Sequence, residues 1–161
     1  MIRAKLKLGD VFEVSLADGK VGFFQYIADD ETQLDSNVIR IFRDKYDAGE
    51  FPVIPKIVSG NIHFNAHIFL KTGLKFGFWK KVGNAVFSEK IDLLFRNTND
   101  YGTPEIKVSH RWYIWRINEP FRNVGVLRPE YQDAEIGVVL SPGDIIDRMK
   151  TGSYTFAYPG Y

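Results

Sequence analysis

The chain has 161 residues, of which 45% are hydrophobic and 25% are charged, and its formal net charge is +1 at pH 7. This composition is typical of a folded domain and excludes an intrinsically disordered chain, which needs low hydrophobicity and high net charge. Because there is no cysteine, disulfides, thiolate catalysis and cysteine-based zinc sites are excluded. The near-neutral charge provides no overall attraction to nucleic acid or to an anionic membrane.

The N-terminal ten residues carry charges at every second or third position, which leaves no apolar core for a signal peptide. No apolar run approaches the 18 or more residues that a membrane-spanning helix needs. We therefore expect a cytoplasmic protein, unless it is exported by a route that reads no N-terminal signal.

Aromatic residues make up 15% of the chain and occur in segments where apolar and polar residues alternate, which is typical of β-strands. Asp18-Gly19 separates the first two segments and is a strong hairpin signal. Segment 20–28 is apolar on both faces, so we expect a central strand there. Further strand-like segments are 38–46, 61–70, 76–84, 91–96, 110–118 and 124–127.

Near the end of the chain, the pattern predicts a helix. Ser141 is a good N-cap, Pro142 suits the first helical position, and Asp144 is the acidic partner of a capping box. Gly152 is a suitable stop after the helix.

Two other segments are interpreted as irregular. Segment 51–59 contains Pro52 and Pro55, which break strands and helices, and Thr72-Gly73 is interpreted as a turn. The sequence thus predicts one mainly β domain over residues 1–161, a curved sheet or barrel-like β-sandwich of seven or eight strands with one C-terminal helix.

His63 and His67 are the first candidate site. Four residues apart on a strand, they would lie roughly 13 Å from each other, too far for one metal ion to bind both. The spacing of His110 does not support a third ligand. We therefore expect two histidines on the polar face of a half-exposed sheet, and no metal site.

Motifs for catalysis and cofactors are missing from the sequence. There is no G-x-S-x-G motif and no nucleotide-binding glycine loop, so we assign no catalytic residue and no cofactor and expect a protein that is not an enzyme. An enzyme with its site in a barrel cavity remains an alternative, which a deep polar pocket with ionisable groups of perturbed pKa would favour.

Basic and aromatic residues are interleaved between Lys71 and Lys90. Phe76, Phe78 and Trp79 lie among these lysines, a combination that can stack on and neutralise a nucleic acid strand. A nucleic-acid-associated module is therefore the alternative function, although the near-neutral charge disfavours it.

An acidic cluster follows the predicted central strand. Its four carboxylates within seven residues are Asp29, Asp30, Glu31 and Asp35. They are candidates for docking a basic protein partner, since complementary charge speeds encounter and fixes register. The alternative is an ordinary solvated loop.

Several short runs of residues are similar to those of one group of bacterial proteins. They are Gly9-Asp10-Val11-Phe12-Glu13-Val14, Asp18-Gly19-Lys20, Phe24-Gln25-Tyr26-Ile27, Gln33-Leu34 with Val38-Ile39-Arg40-Ile41-Phe42, Trp79-Lys80-Lys81-Val82-Gly83 and Trp112-Tyr113-Ile114-Trp115. With them the chain resembles immunity protein family 26 of bacterial polymorphic toxin systems, from about residue 7 to the C-terminal helix.

This resemblance implies a mostly β cytoplasmic protein, encoded beside a secreted toxin, that protects the producing cell. It brings no catalytic residues. We therefore expect the protein to bind a cognate toxin domain and block its active site or substrate access. The acidic residues 29–35 are the first place to expect contact, and they would mimic phosphate if the toxin is a nuclease.

Overall fold

A computed structural model describes residues 5–161. The prediction that the N-terminus contains no signal peptide falls partly on residues 1–4, which lie outside the described residues. The described part forms eleven strands in two sheets, which confirms the mainly β fold. Eight of these strands have four or more residues, in agreement with the seven or eight predicted. Over residues 5–161 the sheets do not close into a barrel, so the observed architecture is the sandwich-like one.

The larger sheet contains seven strands. They are β1 (Asp10–Ser15), β2 (Lys20–Asp30), β3 (Ser36–Phe42), β4 (Tyr46–Asp47), β5 (Ile62–Ile68), β6 (Trp79–Asn84) and β11 (Val139–Leu140). Their order is β11–β5–β3–β2–β1–β6, with β4 paired to β2 beside this path. Strand β11 runs parallel to β5, and the other pairs are antiparallel. β2 is central and almost fully buried, as its two apolar faces predict.

The smaller sheet contains the other four strands. They are β7 (Leu94–Thr98), β8 (Trp112–Arg116), β9 (Arg122–Gly125) and β10 (Glu135–Ile136), in the order β10–β7–β8–β9. After β10 the chain crosses to β11 through residues 137–138 alone. Gly137 is needed at this crossing because a Cβ there would lie 2.1 Å from the ring of Trp115.

The hairpin between β1 and β2 confirms the predicted turn. Asp18 and Gly19 have φ values of 60° and 69°, and the backbone N–H of Lys20 donates to the carbonyl of Ala17 at 3.3 Å. Two successive positive φ values are typical of a type I′ turn, whose twist matches that of the strands.

Both faces of the larger sheet are covered. One face packs against the C-terminal helix α3 (Pro142–Thr151) through Ile145 and Met149. The opposite face packs against the short helix α1 (Ile54–Val58) through Ile57. Apolar residues on both sides of the central strands are thereby removed from water, which stabilises the fold.

A third cluster joins the two sheets. Ile27 and Val38 of the larger sheet pack against Phe95 and Trp115 of the smaller one. The smaller sheet therefore lies over one end of the larger sheet, on the face that also carries α1.

Helix α3 begins and ends as predicted. The hydroxyl of Ser141 accepts from the backbone N–H of Asp144 at 3.1 Å, and the Asp144 carboxylate accepts from the Ser141 N–H at 3.2 Å. Gly152 ends the helix with φ of 87°. These contacts satisfy backbone groups that have no partner inside the helix.

Several predictions of local structure were wrong. The supposedly irregular segment 51–59 contains α1, because Pro55 stands in the first turn, where its missing N–H costs no helical hydrogen bond. The supposed turn at residues 72–73 lies inside helix α2 (Leu70–Lys75). The strand predicted over 38–46 is divided into β3 and the short β4.

The aromatic tail after α3 packs on the body of the molecule. Tyr154 and Phe156 join the core of the larger sheet, and Tyr158 joins that of the smaller sheet. Among residues 5–161, no α-helix has the length and apolar character required to cross a membrane.

Candidate partner-binding surface

The acidic residues 29–35 form the end of the β2–β3 hairpin. Asp30 pairs with Ser36 across the hairpin, and the loop between them turns through Leu34 and Asp35, whose φ values are 66° and 40°. Asp tolerates the left-handed conformation better than most residues because its short side chain hydrogen-bonds locally. We call residues 29–35 the acidic loop.

Asp30 is fully buried and anchors the acidic loop from inside. Its carboxylate accepts hydrogen bonds from the Trp115 indole N–H at 2.9 Å and from the backbone N–H groups of Asn118 at 3.0 Å and Gln33 at 3.3 Å. His67 Nε2 lies 2.9 Å from the same carboxylate. A buried carboxylate needs such partners to offset its desolvation, so Asp30 positions the loop.

His67 corrects the prediction of a half-exposed polar face. It is completely buried, because the smaller sheet covers this end of β5. Burial lowers the pKa of His67, although the hydrogen bond to Asp30 opposes this shift. Within the described residues, Nδ1 of this ring has no hydrogen-bond partner, which disfavours a second proton on the ring.

His63 remains half-buried on the same strand, and its pKa is lowered by burial and then by nearby cations. Within the described part of the chain, no group of three or more His, Asp or Glu side chains is arranged so that it could hold a metal ion.

Asp29 faces the opposite side of the hairpin from Asp30. Its carboxylate accepts from the Tyr26 hydroxyl at 2.6 Å and from the Asn37 amide at 2.8 Å. The pKa of the Tyr26 hydroxyl is raised, mainly by burial and then by this hydrogen bond. Asp29 is therefore half-buried and held in place, while Glu31 and Asp35 are exposed.

A groove of about 390 Å³ lies beside the acidic loop. Asp29, Glu31 and Asp35 line one side of it, and Phe69 and Lys71 line the side towards α2. Three of the four carboxylates predicted as docking candidates thus line one groove. The fourth, Asp30, is buried and holds the loop that carries them.

Three exposed phenylalanines lie next to helix α2 in the chain, and one of them, Phe69, lines the groove. Phe69, Phe76 and Phe78 expose 49%, 66% and 41% of their surface. Phe69 lies within the predicted strand segment 61–70, an even number of residues from His63 and His67 and therefore on their face, and a large apolar residue on a polar face is the signal that would have identified it. Phe76 and Phe78 lie within the predicted strand segment 76–84, but β6 begins at Trp79.

Several residues of the lysine and aromatic segment 71–90 make contacts within the protein. Trp79 is buried, and its indole N–H donates to the carbonyl of Leu70 at 3.2 Å. Lys81 pairs with Asp10 at 3.0 Å, and Lys80 lies 3.8 Å from Glu13. Trp79 is therefore not available for stacking on a base, and two of the lysines already have carboxylate partners.

Exposed aromatic residues beside a polar rim are typical of protein-binding surfaces. The family model described as Immunity protein 26 matches residues 7–105, more than half of the chain. The chain therefore belongs to the immunity protein 26 family. The match includes the acidic loop and α2, and it ends before β8. Neither a curated protein nor a solved structure matches the chain.

Proposed function

We propose that this protein binds a cognate bacterial toxin domain and neutralises it by occluding the active site of the toxin. Membership of the immunity protein 26 family supports the class of function. The observation that carries the choice of surface is the groove that brings Asp29, Glu31 and Asp35 together beside an exposed phenylalanine.

The anchoring of the acidic loop favours tight binding. The Asp30 carboxylate fixes the base of the loop, and the backbone N–H of Glu31 donates to Asn118 Oδ1 at 2.7 Å. A loop that is already ordered loses little conformational entropy when a partner binds. Glu31 and Asp35 then present carboxylates to a basic surface, where they mimic phosphate if the toxin is a nuclease.

In this proposal the protein acts in the cytoplasm of the producing cell, by binding and without a reaction of its own. A standard interface buries roughly 1,600 Å² in total, which is compatible with nanomolar or tighter binding when a few residues serve as anchors.

Binding to the purified toxin domain encoded by the adjacent gene tests the proposal, with a catalytically inactive form of that domain as the probe. We expect a stoichiometric complex with nanomolar affinity, together with protection of cells that express the active toxin. Absence of binding at micromolar concentration, with both proteins folded, would contradict the proposal.

The exposed carboxylates provide a sharper test. Glu31→Gln combined with Asp35→Asn should slow association with a basic toxin and weaken the dependence of its rate on salt. Glu105→Gln removes an exposed carboxylate elsewhere and should change neither quantity.

A single-stranded oligonucleotide serves as the comparison ligand. Oligonucleotide binding that weakens steeply with salt, together with no binding to the toxin domain, would favour the nucleic-acid-associated module instead.

A further inference from the structure

We infer that Phe69 and Phe76, at the two ends of α2, are the apolar anchors of the toxin interface. The partner surface they fit is a folded protein surface with an apolar pocket that carries Lys or Arg on the side facing the acidic loop. This inference rests on the proposed function and names the residues that hold the complex together.

The exposure of these phenylalanines is the first observation. Phe69, Phe76 and Phe78 lie within ten residues and together leave roughly 300 Å² of aromatic side chain in contact with water, if each ring has about 200 Å² to bury. The largest apolar patch of a typical monomer is of about this size and is often functional. It would supply the apolar centre of an interface that covers about 800 Å² on each partner.

The positions of Phe69 and Phe76 bring two of these rings to the ends of one short helix. Phe69 is the N-cap and Phe76 the C-cap of α2, so they are seven residues apart. That spacing corresponds to about 10 Å along the helix axis. An interface that covers about 800 Å² on each partner is wide enough to include both rings.

The buried side of α2 makes this platform rigid. Leu70 is fully buried in the core of the larger sheet. Gly73 packs so closely on the Trp79 ring that an added Cβ would lie 1.9 Å from it. Anchors on a fixed element lose little freedom on binding, which increases affinity.

The aromatic patch continues into the charged groove. Phe69 and Lys71 line that groove together with the carboxylates of the acidic loop. Charges at the rim orient a partner, and the apolar centre holds it. The carboxylates of the acidic loop favour Lys or Arg on the facing part of the partner. Lys71 and Lys75 on α2 favour hydrogen-bond acceptors, such as carboxylates, on the part of the partner that faces them.

The test measures dissociation of the inactive toxin domain from four proteins: the unmodified chain, Phe69→Ala, Phe76→Ala and Phe51→Ala. Phe51 is the matched control, because it is 81% exposed but lies beside α1, on the opposite face of the larger sheet. We expect each α2 variant to dissociate roughly tenfold or more faster, as at an interface anchor, and Phe51→Ala to dissociate at the unmodified rate.

Folding is checked by the thermal unfolding of each variant, and Phe69→Leu and Phe76→Leu serve as apolar replacements that should retain most of the binding. Unchanged dissociation of both alanine variants, while the unmodified chain binds, would overturn the inference and leave the proposed function intact. No binding by the unmodified chain would overturn both. A dimer of this chain that Phe76→Ala dissolves, with toxin dissociation unchanged, would assign the patch to a second copy and also overturn the inference.

Discussion

At Asp30, one buried carboxylate connects the acidic loop, β5 and the segment after β8. Asp30→Asn should lower the free energy of unfolding by about 3 kcal/mol or more, because an amide cannot accept all of these hydrogen bonds and leaves buried donors unpaired. Asp35→Asn is the matched control, since Asp35 is exposed in the same loop and its change should stay within about 0.5 kcal/mol. Urea denaturation measures both, and equal effects would contradict the anchoring role of Asp30.

His67 should make the stability depend on pH. Burial lowers its pKa in the folded protein, so below the ordinary histidine pKa of 6.5 the unfolded chain takes up a proton that the folded protein excludes. The free energy of unfolding therefore falls as the pH drops through this range. Denaturation at pH 7.5 and pH 5.5 should show a larger loss in the unmodified protein than in His67→Gln, whose amide still donates to Asp30. Parallel losses would assign the pH dependence to other groups, such as His63.

The same hairpin shows what the sequence could not predict about the site. The pairing of β2 with β3 shifts register between Tyr26 and Ala28. Such a bulge reverses which side chains face which side of a strand. As a result Asp29 bonds to Tyr26 on one face, while Asp30 faces the smaller sheet on the other. The alternation of residue types contains no signal for the bulge, so the acidic cluster was identifiable but the separate roles of its members were not.

At the scale of elements, two glycines in helices should respond oppositely to the same substitution. Gly73→Ala in α2 places a Cβ against the Trp79 ring and should lower the free energy of unfolding by about 1 to 3 kcal/mol. Gly143→Ala in α3 meets nothing closer than 3.7 Å and should raise it by up to about 1 kcal/mol, since alanine favours the helix. Thermal or urea unfolding of the two variants provides the comparison. A stabilising Gly73→Ala would contradict the close packing of α2 on Trp79.

The helices also show which elements the sequence can predict. The caps of α3 are local, so Ser141, Asp144 and Gly152 were sufficient to place both ends of the helix. Helix α2 depends on a contact with Trp79, six residues beyond Gly73, and no local pattern distinguishes a glycine that accommodates a ring from one that forms a turn. Local hydrogen bonds were thus predictable, and packing between elements was not.

At the scale of the whole molecule, the two sheets should unfold together. They share the cluster around Trp115, the hydrogen bond from Trp115 to Asp30 and the short crossing at Gly137. Calorimetry should therefore show one transition, with the calorimetric enthalpy equal to the van't Hoff enthalpy, as expected of a single domain. Two separated transitions would contradict the prediction of one domain over residues 1–161.

The three tryptophans are buried in different places, Trp79 in the larger sheet and Trp112 and Trp115 in the smaller one. Each half of the molecule therefore contains its own natural fluorophore, shielded from quenching by solvent until that half opens. Emission from a chain that retains only the indole of Trp79 would follow the platform beneath α2. Emission from a chain that retains only that of Trp115 would follow the seam between the sheets, and the two signals should change together if the sheets unfold as one.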